Sequence, residues 1–201
     1  MYSFTETEKR DLLIGTAIFV LVELSFAIYY TNTFLELLIL GILTIPLWLF
    51  HELAHKFVAQ GNGLVSDFRL DPNMAIFSLF SIVLPIKIIA PGVVLSSGEY
   101  RLDTAGRISM AGPLTNILIG GIFLVFSSFM PIDWIVVVFL LASRFSFDMA
   151  LFNMLPFYVL DGAKVLRWNQ SIFILIFSLS VIAWLLHPLD PLRILGFLGG
   201  Y

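Results

Sequence analysis

The sequence predicts a membrane α-helical protein with about five transmembrane helices and a small, partly inserted β-hairpin or sheet between helices two and three. Three observations carry that reading. Of 201 residues, 59% are hydrophobic and 12% charged, and the mean hydropathy is +0.98. Soluble domains average roughly 45–50% apolar and about 25% charged, so a soluble fold of this size could not hide so much apolar surface. Several apolar runs approach the roughly 20 residues that a helix needs to cross a bilayer core of about 30 Å. The basic residues also sort between two sets of connections, as a multi-pass topology requires.

The first run, about 11–30, follows Lys9 and Arg10. It is like a signal sequence only superficially, because "IYYTNTF" offers no small-residue cleavage site; it reads as a retained anchor. The second run spans about 34–59, the third about 106–130, the fourth about 133–157 and the fifth about 170–187. Between the second and third, "MAIFSLFSIVLPIKIIAPGVVLSSG" is apolar but is interrupted by Pro85, Lys87, Pro91 and Gly92. Proline and glycine punctuate rather than propagate a helix. "IKIIAPGVVL" predicts two short β-branched strands around a Pro-Gly turn. Extended backbone at membrane depth must be buried in protein or face a wet cavity, so 74–95 is expected to be a partly inserted hairpin rather than a sixth helix.

The charges agree with five crossings. Lys9 and Arg10 lie before the first helix, Lys56, Arg69, Lys87, Arg101 and Arg107 between the second and third, and Lys164 and Arg167 after the fourth. The connections at 31–33 and 131–132 hold no Lys or Arg. The basic segments therefore share one side, which the positive-inside rule makes cytoplasmic. The N-terminus and the C-terminal end of helix two are expected there. A sixth helix would split Arg101 and Arg107 from Lys56 and Arg69.

The length predicts a single domain, 1–201, without repeats or linkers. A net charge of −3 gives no reason to expect a nucleic-acid partner. The absence of cysteine excludes disulfides and thiol ligands.

Ionisable groups within a membrane helix are costly and usually functional. "WLFHELAHKF" places His51, Glu52 and His55 inside the second apolar run. Helix positions i and i+4 share one face, so both imidazoles can address one ion, and an adjacent glutamate can act on a water there. The chain has three histidines, and this motif uses two of them. A catalytic zinc needs a third protein ligand, and Glu23, Glu36, Asp148, Asp161 and His187 are candidates. Asp161 stands out because Pro156 must break or kink the fourth helix just before it. Broken helices place ligands at membrane depth. Asp161-Gly162 alone fits an ordinary turn equally well.

His51-Glu52-Leu53-Ala54-His55 together with "NMLPFYVLDG", 153–162, resembles the paired signature of the site-2 proteases, which are intramembrane zinc metalloproteases. "ISMAGPLTN", 108–116, is similar to the family's intervening helix, and the likeness covers a catalytic core of about 34–168. The resemblance implies one zinc ion per chain, bound by His51, His55 and Asp161. It implies that Glu52 is the general base that activates the attacking water, and that Asn153 orients substrate or an oxyanion. It also implies a small sheet from the 64–100 strands beside the site, where an unwound substrate binds by strand addition. The implied partners are a lipid bilayer and a transmembrane-helix substrate, already shortened outside the membrane. The chain resembles minimal members, without PDZ or CBS domains, and only one helix follows Asp161.

Other polar residues have structural readings. Asn116 suits an interhelical hydrogen bond or an active-site role. Arg144 and Asp148 are spaced to pair along a helix, with Glu23 a second partner for Arg144. His187 reads as an interfacial residue near a helix end. Trp48, Trp134, Trp168 and Trp184 mostly fall near helix ends, as in aromatic belts. Gly120-Gly121 would permit close helix contact, and the terminal "ILGFLGGY" is too short to span.

Three competing classes remain. A zinc transporter would show internal symmetry, and none is found. A non-catalytic relative that binds helices has no need of an intact Glu52. A prenyl-protein endopeptidase would need a glutamate ligand on a later helix, whereas only Glu99 follows Glu52, in a loop.

Overall fold

The computed structural model describes residues 4–84, 87, 89–98, 101–157 and 159–189. In order these form α1 (Glu6–Ala27), α2 (Phe34–Gly61), β1 (Val65–Leu70), α3 (Pro72–Phe80), a 3₁₀ turn (Ser81–Val83), β2 (Gly92–Ser97), α4 (Leu102–Ser127), α5 (Asp133–Asn153), α6 (Asp161–Trp168) and α7 (Gln170–Leu185). The terminal "ILGFLGGY" and Glu99 lie outside the described residues.

Local chemistry sets the boundaries. Thr5 caps α1 by accepting from the Glu8 amide at 3.1 Å. At the start of α2, Thr33 Oγ1 accepts from the Glu36 amide and Glu36 Oε2 accepts from the Asn32 amide, a variant of the capping box. Asp71 caps α3, with Pro72 in its first turn, where a missing amide hydrogen costs nothing. The α5 helix stops at Asn153, shortly before Pro156, because a residue preceding proline disfavours helical backbone.

Among the described residues three helices, α2, α4 and α5, are long and apolar enough to cross a membrane, which is consistent with a membrane protein. The remaining two expected crossings differ. α1 has 22 residues but carries Arg10, Asp11 and Glu23. α7 has 16 residues, about 24 Å at 1.5 Å per residue, less than a typical hydrocarbon core. Apolar side chains such as Leu118, Ile122, Val125 and Phe126 of α4 face outward, while His51, Asn116, Ser143, Arg144 and Ser146 are buried. Apolar residues thus cover the exterior as well as filling the core, and polar side chains are buried among them.

Between α2 and α4 the chain makes a sheet, but not the expected hairpin. β2 pairs antiparallel with β1, Phe68 opposite Val94 and Leu70 opposite Gly92. α3 and the 3₁₀ turn lie between the strands, and Gly92 opens β2 instead of turning a hairpin. Among the described residues of 74–95 there are helical turns and a strand, neither a sixth crossing nor a local hairpin. Residues 85, 86 and 88, the last two within the first strand expected from the sequence, lie outside the described residues. β1 is fastened on its other edge to α1: Glu8 Oε1 accepts from the Phe68 amide at 2.9 Å and Asp11 Oδ2 from the Leu70 amide at 3.2 Å. Lys56, 1% exposed, pairs with the fully buried Glu8 beneath this strand.

The core forms where α1, α2 and α5 meet, around Phe19, Leu40, Leu47, Trp48, Leu141 and Phe145. Trp48 belongs to this core rather than to an interfacial belt; it stands edge-on to Phe68 at 5.2 Å. α4 packs along both α2 and α5 and receives α6. As expected, one glycine of Gly120-Gly121 serves close contact: a Cβ on Gly120 would come within 2.6 Å of the Phe147 ring, whereas Gly121 faces open space.

Candidate metal centre

His51 and His55 lie one turn apart on one face of α2. Their rings stand edge to face, centroids 4.7 Å apart, and their Nε2 atoms are 3.1 Å apart. The third donor comes from far along the chain. Once α5 has stopped, a short link leads to α6, and Asp161 is its first residue. A carboxylate is favoured there by the partial positive charge of a helix N-terminus. Asp161 Oδ2 lies 3.1 Å from His55 Nε2 and 3.5 Å from His51 Nε2.

α4 fixes the tautomers. His55 Nδ1 is 2.7 Å from the Ile108 carbonyl, which can only accept, so this nitrogen carries the proton and donates. His51 Nδ1 donates likewise to Asn116 Oδ1 at 3.0 Å. Such outer partners orient metal-binding imidazoles and raise their basicity. Both Nε2 lone pairs then face the same gap as a carboxylate oxygen, an arrangement that calls for a cation. Tetrahedral coordination at about 2.0–2.1 Å separates neighbouring donors by about 3.3–3.4 Å. The observed edges of 3.1, 3.1 and 3.5 Å bracket that value. Two imidazoles and a carboxylate also form a common donor set for zinc, so the residues fit the ion.

The remaining Asp161 oxygen, Oδ1, lies 3.7 Å from Lys164 Nζ one turn along α6. Asp161 therefore offers one oxygen to the histidines and the other to an ammonium. Glu52, 9% exposed, stands within electrostatic reach of His51, His55, Asp161 and Lys164, but is not one of the three converging donors.

Two glycines make this closeness feasible. A Cβ on Gly112 would come within 2.6 Å of the His51 ring and would also collide with His55 Nε2. One on Gly162 would collide with the Met154 carbonyl and approach the Leu155 oxygen to 2.7 Å. The Asp-Gly pair therefore lets the start of α6 tuck against the link from α5.

The other sequence candidates lie apart from the triangle. Glu36 is the α2 capping residue. Asp148 pairs with Arg144 at 3.0 Å and accepts from Trp184 Nε1 at 2.6 Å. Glu23 makes no ion pair with Arg144. His187 does lie near a helix end, but it is 4% exposed and packs against Phe147 rather than an interface. Asn153 ends α5, and its Nδ2 donates to the Met149 carbonyl at 3.0 Å. It lines a cavity of about 590 Å³ between α1, α5 and α7. Lys164 and the Ile108 carbonyl escaped sequence reasoning. The i+3 spacing from Asp161 could have flagged Lys164, but a backbone acceptor leaves no trace in side-chain identity.

A protein of Methanocaldococcus jannaschii named "Putative zinc metalloprotease MJ0611" is 29% identical over 191 residues, an alignment covering 93% of this chain and 97% of that protein. No protein-family model matches the chain, and no solved structure matches it.

Proposed function

We propose that this protein is an intramembrane zinc metalloendopeptidase of the site-2 protease type, hydrolysing peptide bonds within or near transmembrane segments of membrane-anchored substrates. The similarity to a zinc metalloprotease and the buried His51-His55-Asp161 group support metalloprotease activity. The observation that carries the reading is the donor triangle itself, closed by two remote segments, with both tautomers set by α4 and Glu52 alongside.

Bound zinc would supply the Lewis acid that polarises a scissile carbonyl and makes water acidic enough to attack near neutral pH. The chain's residues supply the rest. Glu52 makes no hydrogen bond among the described residues, so its carboxylate is available to take the attacking water's proton and pass it to the leaving amine. Asn153, at the corner where α5 ends, orients the substrate. Lys164 balances the charge of Asp161.

A helical substrate hides its peptide bonds and must unwind before attack. The sheet favours strand addition on one side only. Because the Phe68 and Leu70 amides turn toward α1, their partners Val94 and Gly92 present their backbone groups to the opposite edge. No backbone partner occupies that edge among the described residues. In this reading α1 and α7 also cross the bilayer, one domain holds the whole machinery, and the N-terminus faces the cytoplasm.

The test is cleavage of a transmembrane-peptide reporter by purified protein, wild type against Glu52→Gln, with zinc content measured on both. The expected result is equal zinc and a loss of about 10²–10⁴-fold in rate, the usual scale of a general base. Equal rates would refute the mechanism. Full zinc without cleavage by wild type would favour a binding or transport role.

A further inference from the structure

The cavity between α1, α5 and α7 is about 590 Å³, within the range of ligand sites and larger than one side chain. Its walls are mostly apolar, but Glu23, Lys87, Arg144 and Asp148 share its lining. Accounting for their hydrogen bonds shows which group lacks a partner. Lys87 Nζ donates to the carbonyls of Ser81, Ile82 and Leu84 at 3.2, 2.8 and 3.0 Å, which uses all three ammonium protons. Arg144 is engaged with Asp148, with the Trp184 carbonyl at 3.1 Å and with the Trp184 ring at 4.5 Å. Asp148 also has the Trp184 indole. Glu23 is 7% exposed and has no hydrogen bond or ion pair among the described residues. Ionising a buried carboxyl that has no donor is costly, and the cations that share this lining are already engaged. A cation entering the cavity would supply the missing partner.

We propose that this cavity receives a basic side chain, Lys or Arg, of the membrane-inserted peptide substrate, with Glu23 as its counter-ion. The proposal rests on the peptidase reading. The apolar walls suit the alkyl stem of such a residue, whose charged end then finds Glu23. The cavity reaches the segment that leads to the metal centre: Asn153 and Leu155 line it, and the Met154–Leu155 backbone packs against Gly162, beside Asp161. A substrate held there by one charged residue would lie against the segment that carries Asp161. This makes Glu23 a specificity residue, selecting membrane segments that carry a single buried cation.

The experiment compares two transmembrane peptides of about 20 residues, identical except for one Lys replaced by norleucine. Binding is measured by fluorescence anisotropy in detergent on zinc-loaded Glu52→Gln protein, which cannot consume the probe. The lysine peptide is expected to bind about tenfold more tightly, the scale of one charge-assisted hydrogen bond. Adding Glu23→Gln should abolish the preference while zinc content stays unchanged, and Glu23→Asp should retain part of it. Equal binding of the two peptides, no binding of either, or a preference that survives Glu23→Gln overturns the proposal. Cleavage of the norleucine peptide by the Glu52-intact protein tests the peptidase reading separately. If that peptide is cut but the two peptides bind alike, only the role of Glu23 falls.

Discussion

Asn116 holds His51 through its Oδ1, while its Nδ2 is buried without a partner. Replacing it with Leu therefore removes an orienting bond and also a poorly satisfied amide. Zinc affinity should fall about 10–100-fold, as for other outer-shell partners of metal ligands. The metal-free protein should lose about 1–3 kcal/mol, because the buried His51 Nδ1 is left without its acceptor. Competition with a chromophoric chelator reads the first effect and thermal unfolding of metal-free protein the second. At this scale the sequence was most legible where one local rule sufficed. Helical spacing aligned His51 with His55. Pro156 marked the break that delivers Asp161 at a helix start. Arg144 took the in-helix partner its spacing offered, Asp148, which left Glu23 without one. That outcome depends on how α1 packs against α5, and no local pattern encodes it.

The two-stranded sheet is held to α1 by side chains rather than by a third strand. Lys56 follows directly on His55 and pairs with Glu8, which also accepts from Phe68 of β1. A buried pair loses about 3–5 kcal/mol when one partner is removed, whereas replacing both can be nearly neutral. Lys56→Met is expected to destabilise by that amount in urea unfolding. Adding Glu8→Gln should recover most of it, because the glutamine oxygen still serves the Phe68 amide. Failure of the double variant to recover would mean that the ion pair adds net stability. The sheet also shows where sequence reading stops. The β-branched run ending in "GVVLSS" marked a strand correctly, but its partner lies before α3, and the Pro-Gly turn signal pointed to the wrong neighbour. Pairing across an inserted helix depends on tertiary contacts with α1 and α2.

For the molecule as a whole, composition and apolar runs revealed the apolar exterior directly, since so much hydrophobic sequence cannot all fit inside a core of this size. Crossing number was less accessible. Glu8 and Asp11 of α1 serve the sheet instead of water, and no local pattern in the sequence shows those partners. Because the metal donors come from α2 and α6, an ion there ties two distant parts of the fold. Removing zinc with a chelator should lower the unfolding temperature. The loss is about 2.7 kcal/mol when free zinc had stood at 100 times its dissociation constant. His51→Ala should unfold at the same temperature with or without chelator.

That long span between His55 and Asp161 also has a consequence for biogenesis. During synthesis, α2 emerges with two donors while α4, which sets their tautomers, and α6, which supplies the third, are still to be made. A nascent chain that has not reached Asp161 holds only an incomplete, weaker site. Full metal capture is therefore a late step in maturation, and the complete site forms only after most of the protein has been built around it.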